Sequence, residues 1–360
     1  SPIPSTRAMA KRLSVSRNTV MLAYQALAAD GYLTARERSG FYVSHEIRGG
    51  MATAPDTADG DESESSVDWS QRLRRQPASQ TNITKPSNWH DYPYPFIYGQ
   101  IDESLFPVAD WRDCTRQAMS RKWLDAWTDD RFTEDDPMLI EQLRQRVLSR
   151  RGIRAADDEI LVTLGAQNAL YMLSSLLVKP GTPVAIEEPG YPDIRNILSL
   201  MSADIRPTPV DGDGIRVDQL GDAAIAFVTP SHQAPTNGTM SLQRRYDLLT
   251  WAAENDALII EDDYEFETNY TSTPTPALKS LKHVGSLSKS LMPGLRLGFM
   301  VGPKDLIAEA RALRRLMFRH PPGNNQRVLA LFLSLGHHDA VVARLHRTYS
   351  ARSRVMRTAL

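Results

Sequence analysis

The sequence contains almost no cysteine and no long apolar segment. Cys114 is the one cysteine among 360 residues, so neither a disulfide framework nor a cysteine-rich zinc site is available. No apolar run approaches the roughly 18 residues of a membrane span, and the N-terminus lacks the apolar centre of a signal peptide. These absences predict a cytoplasmic protein with no metal centre and no membrane partner.

An excess of charge of one sign is also lacking, but the charge is unevenly distributed. The chain carries 42 Lys and Arg against 43 Asp and Glu, net −1, which by itself argues against a polybasic nucleic-acid binder. Residues 1–45 nevertheless carry net +4, whereas residues 46–68 carry net −6 and few large apolar side chains. The acidic stretch cannot bury enough surface to order itself. We therefore predict a small basic domain over 1–45, an acidic linker and lead-in over 46–92, and a large domain over 93–360.

The first 45 residues contain two short helical patterns separated by a tight turn. Ser5 and Ser16 are suitable N-caps, and apolar side chains recur at helical spacing after each of them. Residues 34–44 alternate around a Ser-Gly turn, which predicts a hairpin. The spacing is compatible with a helix-turn-helix that binds DNA and equally with a helical hairpin whose basic face is solvated. The predicted inner faces are Ala8, Met9 and Leu13 in the first helix and Val20, Ala23, Tyr24 and Leu27 in the second.

The segment PSTRAMAKRLSVSRNTVMLAYQALAADGYL, followed by RSGFYV, resembles the winged helix of the GntR family. The resemblance includes S-R-x-T-V, A-Y-x-x-L and an aromatic wing strand. It implies double-stranded DNA as a partner, with the second helix in the major groove. The family's first helix is expected before Ser1, and the wing keeps only part of the usual glycine pattern. The candidate DNA-contacting residues are Arg7, Ser16, Arg17, Asn18, Thr19 and Arg38.

Residues 283–302 carry the most specific chemistry of the large domain. The run HVGSLSKSLMPGLRLGFMVG places serines, Lys289 and Arg296 after a short apolar strand. A partly desolvated lysine can form a Schiff base with an aldehyde, and hydroxyls with an arginine can hold a phosphate dianion. The composition is also compatible with a surface loop of serine and lysine.

Three other segments place polar residues at the ends of predicted strands. Gly165-Ala166-Gln167 follows a strand and begins a helix, where backbone N–H groups bind anions. PVAIEEPGYP leads to Tyr191, which either stacks on a planar ring or belongs to the core. ALIIEDDYEFE ends in carboxylates, one of which can keep a pyridine nitrogen protonated. Alternating strands and helices over about 158–302 predict an α/β domain with a mostly parallel sheet covered by helices.

Together with TPSHQAPTNG, these segments resemble the fold-type I aminotransferases of classes I and II. The resemblance implies pyridoxal 5'-phosphate as the cofactor and Lys289 as its Schiff-base lysine. The pyridine nitrogen would pair with Asp262, although Glu261 and Asp263 flank it and are the alternatives. The implied phosphate-binding residues are Ala166, Gln167, Ser286, Ser288 and Arg296.

The same resemblance implies roles around the cofactor ring. Tyr264 would reach the ring hydroxyl and Tyr191 would stack on the ring. His232 and Gln233 would line the ligand side. The usual P-T-G of the family is interrupted here by Asn237, a departure that could alter the loop under the cofactor.

A winged helix joined by a linker to an aminotransferase-like domain resembles the MocR/GabR transcription regulators. The resemblance implies a homodimer on paired half-sites, and an amino-compound effector that forms an external aldimine with the cofactor and changes DNA binding. PFIYGQIDESLFP and HPPGNNQRVLALFLSLGHHD are similar to members concerned with taurine or ectoine catabolism. The family's C-terminal small domain, which supplies an arginine for a substrate carboxylate, is expected to follow Leu360.

Two other functions are compatible with the sequence. Because Lys289, Asp262 and Tyr264 are all retained, an active aminotransferase with a DNA-binding appendage is the alternative. A scaffold that has lost the cofactor is a third possibility, which the retained phosphate and ring partners disfavour. The winged helix and linker favour a sensor over an enzyme as the main role.

Overall fold

Residues 1–72 and residues 73–360 form two separate units. This computed structural model describes residues 3–36, 40–44, 67–97, 99, 102–131, 133–264, 277–278, 283–286 and 295–359. Of the predicted linker and lead-in over 46–92, residues 46–66 lie outside the described ranges, so the character of that stretch and the boundaries at 45 and 92 stay predictions.

In the first unit, two helices meet at a tight turn. α1 (Thr6–Leu13) begins at Ser5, whose hydroxyl accepts a backbone N–H of the first turn at 3.2 Å. It ends at Ser14, whose left-handed backbone (φ 54°) turns the chain. α2 (Arg17–Ala29) begins at Ser16, whose hydroxyl accepts a first-turn N–H at 3.0 Å. Both serines therefore act as N-caps, which satisfy N–H groups that lack a partner within the helix.

A hairpin completes the small core of this unit. β1 (Leu33–Arg36) and β2 (Gly40–Val43) pair antiparallel. The ring of Tyr24 packs edge-on against Phe41, with centroids 5.4 Å apart, and its hydroxyl donates to the Pro4 carbonyl at 3.0 Å. These contacts join α2 to the hairpin and to the segment before α1.

The predicted inner faces of the two helices are only partly correct. On α2 the row of Val20, Tyr24 and Ala28 faces inward, at i, i+4 and i+8. Ala8 and Leu13 of α1, and Ala23 and Leu27 of α2, are instead exposed. The difference arises because α1 and the hairpin both pack on one narrow row of α2.

The second unit is built on an eight-stranded sheet. The spatial order of its strands is β3-β10-β9-β8-β7-β4-β5-β6. Neighbours from β9 through β5 pair parallel, whereas β10 is antiparallel to β3 and β9, and β6 is antiparallel to β5. The predicted mostly parallel sheet is therefore confirmed. The strands are β3 (Ile160–Thr163), β4 (Pro183–Glu188), β5 (Asp204–Asp211), β6 (Gly214–Ile215), β7 (Ile225–Val228), β8 (Leu258–Asp263), β9 (His283–Ser286) and β10 (Gly298–Val301).

Helices follow or precede most of these strands. A single turn, α3 (Trp69–Arg72), precedes the second unit. The helix α6 (Pro137–Gln142) continues as a π-helical segment (Leu143–Leu148) and a final 3₁₀ turn (Ser149–Arg151). The other 3₁₀ turns are Pro77–Ser79, Trp89–Asp91, Glu103–Leu105, Arg121–Trp123, Asp157–Glu159 and Val217–Gln219. The helices of the second unit are α4 (Val108–Ala118), α5 (Asp125–Thr128), α6 (Pro137–Gln142), α7 (Ala166–Leu177), α8 (Pro192–Leu200), α9 (Leu242–Glu254), α10 (Lys304–Phe318), α11 (Gly323–Ser334) and α12 (His337–Ala359).

Strand alternation divides the core between two sides of the sheet. Phe227 of β7 and Ile260 of β8 pack with α7, α8 and α10, a side that we call the α7 face. Ala226 and Ile259, the preceding residue in each strand, pack with α9 on the α9 face. A third cluster joins β3 and β10 to α4, α6, α11 and α12. Burial on both faces explains why these strands are continuously apolar.

None of the described helices is by itself both long and apolar enough to cross a bilayer. α11 and α12 pass that test only as a pair bent by 71°. Within the described ranges, no group of three or more His, Cys, Asp or Glu side chains is placed to bind a metal ion.

Two buried aspartates tie the start of α6 to later helices. Asp135 lies 2.6 Å from Nη1 of Arg314 and 2.9 Å from Nη1 of Arg311, both on α10. Asp136 accepts a backbone N–H of α6 and lies 2.7 Å from Nε of Arg327 on α11. Burial lowers the pKa of Arg314, and the charge of Asp135 opposes that shift. Each charge is therefore kept in the core by its partner.

Replacing Arg314 tests how strongly the core depends on this pair. Arg314→Leu removes the fully buried cation beside Asp135 and leaves the carboxylate with the more exposed Arg311 and the Val162 N–H, so we expect the free energy of unfolding to fall by about 3 kcal/mol. Urea denaturation followed by circular dichroism measures the change. The neighbouring exposed Arg315→Leu is the control, with an expected change within about 0.5 kcal/mol. Equal effects of the two substitutions would contradict the assigned role.

Candidate functional site

Several strand ends meet at one edge of the sheet. Across β3, β10 and β9, Thr163 lies opposite Gly298, which in turn lies opposite Ser286. β8 ends beside β9, with Asp263 opposite Gly285. This edge carries the carboxyl ends of the parallel strands, where α/β sheets bind ligands. The fold thus brings together three segments that the sequence singled out.

The N-terminus of α7 forms one part of the site. Gly165, its N-cap, has φ +89°, and a Cβ on Gly298 would lie 2.7 Å from the Gly165 Cα. Only glycine at position 298 allows β10 to pass this close. Arg296 donates from Nη2 to the carbonyl of Leu164 at 2.9 Å. The N–H groups of the first turn, the helix dipole and the guanidinium together suit a phosphate.

Tyr191 is held beside this turn. Its hydroxyl lies 3.1 Å from Oε1 of Gln167 and 2.9 Å from Oδ2 of Asp193. The residue is half-buried and packs against the apolar cluster of the α7 face. Ala166 and Gln167 are the first residues of α7. The predicted residues Ala166, Gln167, Tyr191 and Arg296 therefore lie around one helix terminus.

The three consecutive carboxylates of β8 divide between the two faces. Because side chains alternate along a strand, Asp262 shares the α7 face with Ile260, whereas Glu261 and Asp263 share the α9 face with Ile259. All three carboxylates are buried. Asp262 is thus the one on the side of the α7 N-terminus.

Two buried arginines accompany the carboxylates of the α9 face. Nη2 of Arg151 lies 2.6 Å from Oδ2 of Asp263, and Nη1 of Arg245 lies 3.8 Å from Oε1 of Glu261. Burial lowers the pKa of Arg245, and the charge of Glu261 opposes that shift. Sequence reasoning missed both arginines. Arg245 could have been predicted to be buried, because it lies three residues before the apolar Leu248 on the same helix face. The sequence contains no comparable pattern for Arg151.

A separate buried carboxylate lies at the end of β4. Glu187 accepts hydrogen bonds from the N–H of Thr229 at 3.0 Å, from its hydroxyl and from Nε2 of Gln233 at 3.2 Å. Burial raises the pKa of Glu187, and these donors oppose the shift. Gln233 is 1% exposed and also binds the Pro189 carbonyl and the Thr236 N–H. Its amide joins two loops of the protein, contrary to the expectation that it lines the ligand side.

His232, next to this amide, is half-buried. Its Nδ1 is buried and makes no hydrogen bond to the described part of the chain. Sequence position alone suggested a ligand-side residue here, and that role stays a prediction.

Some predicted residues lie outside the described ranges. These are Lys289 and Ser288 in the second unit and Arg38 in the wing. The backbone of Ser286 ends β9, and half-buried Tyr264 directly follows β8. The remaining predicted DNA-contacting residues, Arg7, Ser16, Arg17, Asn18 and Thr19, are all exposed.

The described residues fit pyridoxal phosphate. A phosphate dianion suits the first turn of α7 beside Arg296, where glycines at 165 and 298 leave no side chain in the cradle. A protonated pyridine nitrogen suits a buried carboxylate, and Asp262 is buried on the same face. The aromatic ring of Tyr191 lies beside the first turn of α7, on the same face of the sheet.

The chain matches two known protein families, one in each unit. The family described as aminotransferase class I and II matches residues 114–360, and the bacterial regulatory proteins of the gntR family match residues 1–43. The HTH-type transcriptional regulator TauR of Rhodobacter capsulatus is 44% identical over 99% of this chain and 75% of its own length. The probable rhizopine catabolism regulatory protein MocR of Rhizobium meliloti is 30% identical over 98% of this chain and 71% of its own.

Solved structures show the same fold. Kynurenine aminotransferase of Pyrococcus horikoshii, solved with PMP, has a TM-score of 0.72 at 23% identity, covering 81% of this chain and 77% of its own. LysN, the α-aminoadipate aminotransferase of Thermus thermophilus, was solved with a phosphopyridoxyl-leucine. Its TM-score is 0.70 at 24% identity, covering 82% and 77%.

A gntR-type DNA-binding unit joined to a unit of aminotransferase class I and II defines a class of transcription regulators with an aminotransferase-like domain. The chain belongs to the MocR-type family of this class. It is a DNA-binding transcription regulator whose cofactor is pyridoxal phosphate, so the predicted family, fold, cofactor and role as a transcription regulator are confirmed. The predicted action of an amino compound on DNA binding stays a prediction.

The close approach of β10 to α7 predicts the effect of a single methyl group. Gly298→Ala would push the Gly165 turn away from β10, and overpacking of this kind costs about 1–3 kcal/mol. We expect the Kd for pyridoxal phosphate to rise by about tenfold or more, measured by equilibrium dialysis. Gly212→Ala is the matched control, because its Cβ would meet nothing within 4 Å. Indistinguishable affinities for the two variants would argue against the phosphate cradle.

The buried Glu187 predicts a pH dependence of stability. The pKa of Glu187 is raised in the folded state, so folding favours its neutral form. The stability that this form contributes is complete below the ordinary pKa of 4.5 and is lost as pH rises through the pKa of the folded state. Glu187→Gln has no such titration, so the unfolding free energy of the wild type should fall relative to the variant as pH rises above 4.5. Denaturation midpoints from pH 4 to about 8 measure this trend. Exposed Glu188→Gln is the control, and parallel profiles for wild type and Glu187→Gln would exclude the effect.

Proposed function

We propose that an amino compound controls DNA binding by taking the place of Lys289 at the cofactor. Pyridoxal phosphate supplies an aldehyde that condenses reversibly with primary amines. The observation that carries the proposal is the separation of the β8 carboxylates. Asp262 alone is turned toward the α7 terminus, on the side suited to a cofactor, in a chain that also carries a DNA-binding unit.

The remaining roles are those that the family resemblance implies. Lys289 anchors the cofactor, Asp262 keeps its pyridine nitrogen protonated, and Tyr264 binds the ring hydroxyl. Tyr191, oriented by its hydroxyl contacts, stacks on the ring. The phosphate is held by Ala166, Gln167, Ser286, Ser288 and Arg296.

The DNA-binding unit contacts its operator through side chains at the start of α2 and around it, of which those in the described ranges are exposed. A homodimer presents two such units to paired half-sites. The protein acts in the cytoplasm, with a DNA-binding domain over 1–45, a linker over 46–92 and a sensor domain over 93–360. The contacting residues are Arg7, Ser16, Arg17, Asn18, Thr19 and Arg38.

The resemblance of two segments to regulators of taurine or ectoine catabolism makes taurine the first effector to test. An effector shifts an equilibrium only by its differential affinity for two states. We therefore expect taurine, or another amine of a panel, to change both the cofactor absorbance and the affinity for operator DNA.

Two substitutions separate the cofactor function from the DNA function. Lys289→Ala should abolish the visible absorbance of the lysine-bound cofactor and the response to amines, while the protein still binds DNA. Arg17→Ala should leave the absorbance intact and weaken operator binding by about tenfold, the effect of losing one specific contact. Absorbance spectra and fluorescence anisotropy with labelled promoter DNA measure the two properties.

Arg12→Ala, an exposed arginine in the last turn of α1, controls for the loss of charge alone. An unchanged spectrum in Lys289→Ala would exclude Lys289 as the anchor. Steady transamination of keto acids at enzyme-like rates would favour the aminotransferase alternative.

A further inference from the structure

A buried arginine lies beneath the site on the α9 face. Arg151 ends the helical run that begins with α6, just before Gly152, whose left-handed backbone (φ 70°) ends the helix. Its side chain is only 3% exposed. No motif of the cofactor site includes it, yet it occupies the position where two segments of the site adjoin.

One nitrogen of Arg151 contacts both segments. Nη2 donates to Oγ of Ser231 at 2.9 Å and lies 2.6 Å from Oδ2 of Asp263. Ser231 directly precedes His232 in the loop after β7, and Asp263 directly follows Asp262 at the end of β8. The guanidinium therefore joins the loop on the expected effector side to the strand that carries the partner of the ring nitrogen.

Arg245, the other buried arginine on the α9 face, makes a different set of contacts. Its Nη2 donates to the Pro230 carbonyl at 2.9 Å and its Nε to the Met240 carbonyl at 3.2 Å. These two carbonyls are the two ends of the loop after β7, so Arg245 closes the loop on itself. Arg151 connects this loop to the end of β8 through Ser231 and Asp263, whereas Arg245 reaches β8 at Glu261, 3.8 Å away.

We infer that Arg151 is a positioning residue that couples the Ser231–His232 segment to Asp262, so that a change at the loop alters the surroundings of the cofactor ring. This inference rests on the proposed function. The ionisable groups around the coupling are Glu261, Asp262 and Asp263 on β8, Arg245 on α9 and His232 in the loop. The planar guanidinium fixes the direction of Nη2 between its two partners, whereas the ammonium of a lysine is a single point charge at the end of a flexible chain.

A double-mutant cycle on the holoprotein tests the coupling. The variants are Ser231→Ala, Arg151→Lys and the two combined, and the measured quantity is the pH midpoint of the visible absorbance of bound pyridoxal phosphate. We expect Ser231→Ala to shift the midpoint by about half a pH unit in the wild type. In the Arg151→Lys background the same change should have no further effect, because the connection is already lost.

The control is Arg150→Lys, since Arg150 is the adjacent arginine, exposed and paired with Asp339 on the surface. It should leave the midpoint unchanged. If Arg151→Lys does not fold, the charge-neutral pair Arg151→Gln with Asp263→Asn replaces it in the cycle. That pair removes both buried charges together, so no uncompensated charge stays in the core.

Two results would overturn the inference and leave Arg151 a purely structural residue. One is that the midpoint shifts of Ser231→Ala and Arg151→Lys add in the double variant; the other is that Arg151→Lys lowers the melting temperature but does not shift the midpoint. The proposed function would then still stand if Lys289→Ala abolishes the absorbance. A wild-type protein without that absorbance would overturn the proposed function and the inference with it.

Discussion

Three adjacent carboxylates at the buried end of β8 impose the strongest constraint on the second unit. A buried charge is tolerated only when it is paired, and the alternation of a strand sends neighbouring side chains in opposite directions. Glu261 and Asp263 therefore require a cationic layer on the α9 face, which Arg151 and Arg245 supply. Asp262 is directed to the other face, where a protonated ring nitrogen of the cofactor suits it.

The helical run from α6 to Arg151 lies between two buried clusters of charged side chains. It starts at Asp135 and Asp136, which hold arginines of α10 and α11, and it ends at Arg151 beneath the site. The segment between these ends includes a π-helical stretch, a departure from α-helical winding that is common near functional sites. Movements of α10 or α11 would therefore reach the site through a single element.

The parts that could be predicted from the sequence are those governed by local rules. Ser5 and Ser16 were identifiable as N-caps because the cap bonds to its own helix. The alternation of strands and helices was sufficient for a mostly parallel sheet. Asp262 could be chosen from its neighbours only by resemblance, until the strand placed each side chain on a face. Leu13 and Leu27 fit a helical apolar pattern but are exposed, because spacing does not specify which row meets another element.

Long-range partners were beyond local rules. Arg151 meets residues 80 and 112 positions away in the chain, Ser231 and Asp263, and its neighbour Arg150 has the same chemistry on the surface. Gln233 has a motif position typical of a ligand contact, yet its amide joins two loops. In both cases the residue type is compatible with more than one role, and only the tertiary contacts show which role the residue has.

The position of β3 at one end of the sheet has a consequence for biosynthesis. Its neighbour in the sheet is β10, where Gly298 pairs with Thr163 although it lies about 135 residues further along the chain. At about 5–20 residues per second, a ribosome needs roughly 7–27 s to supply that strand. The turn at Gly165, which suits a phosphate, gains its neighbour Gly298 only when β10 packs beside it, so this part of the second unit is completed late in synthesis.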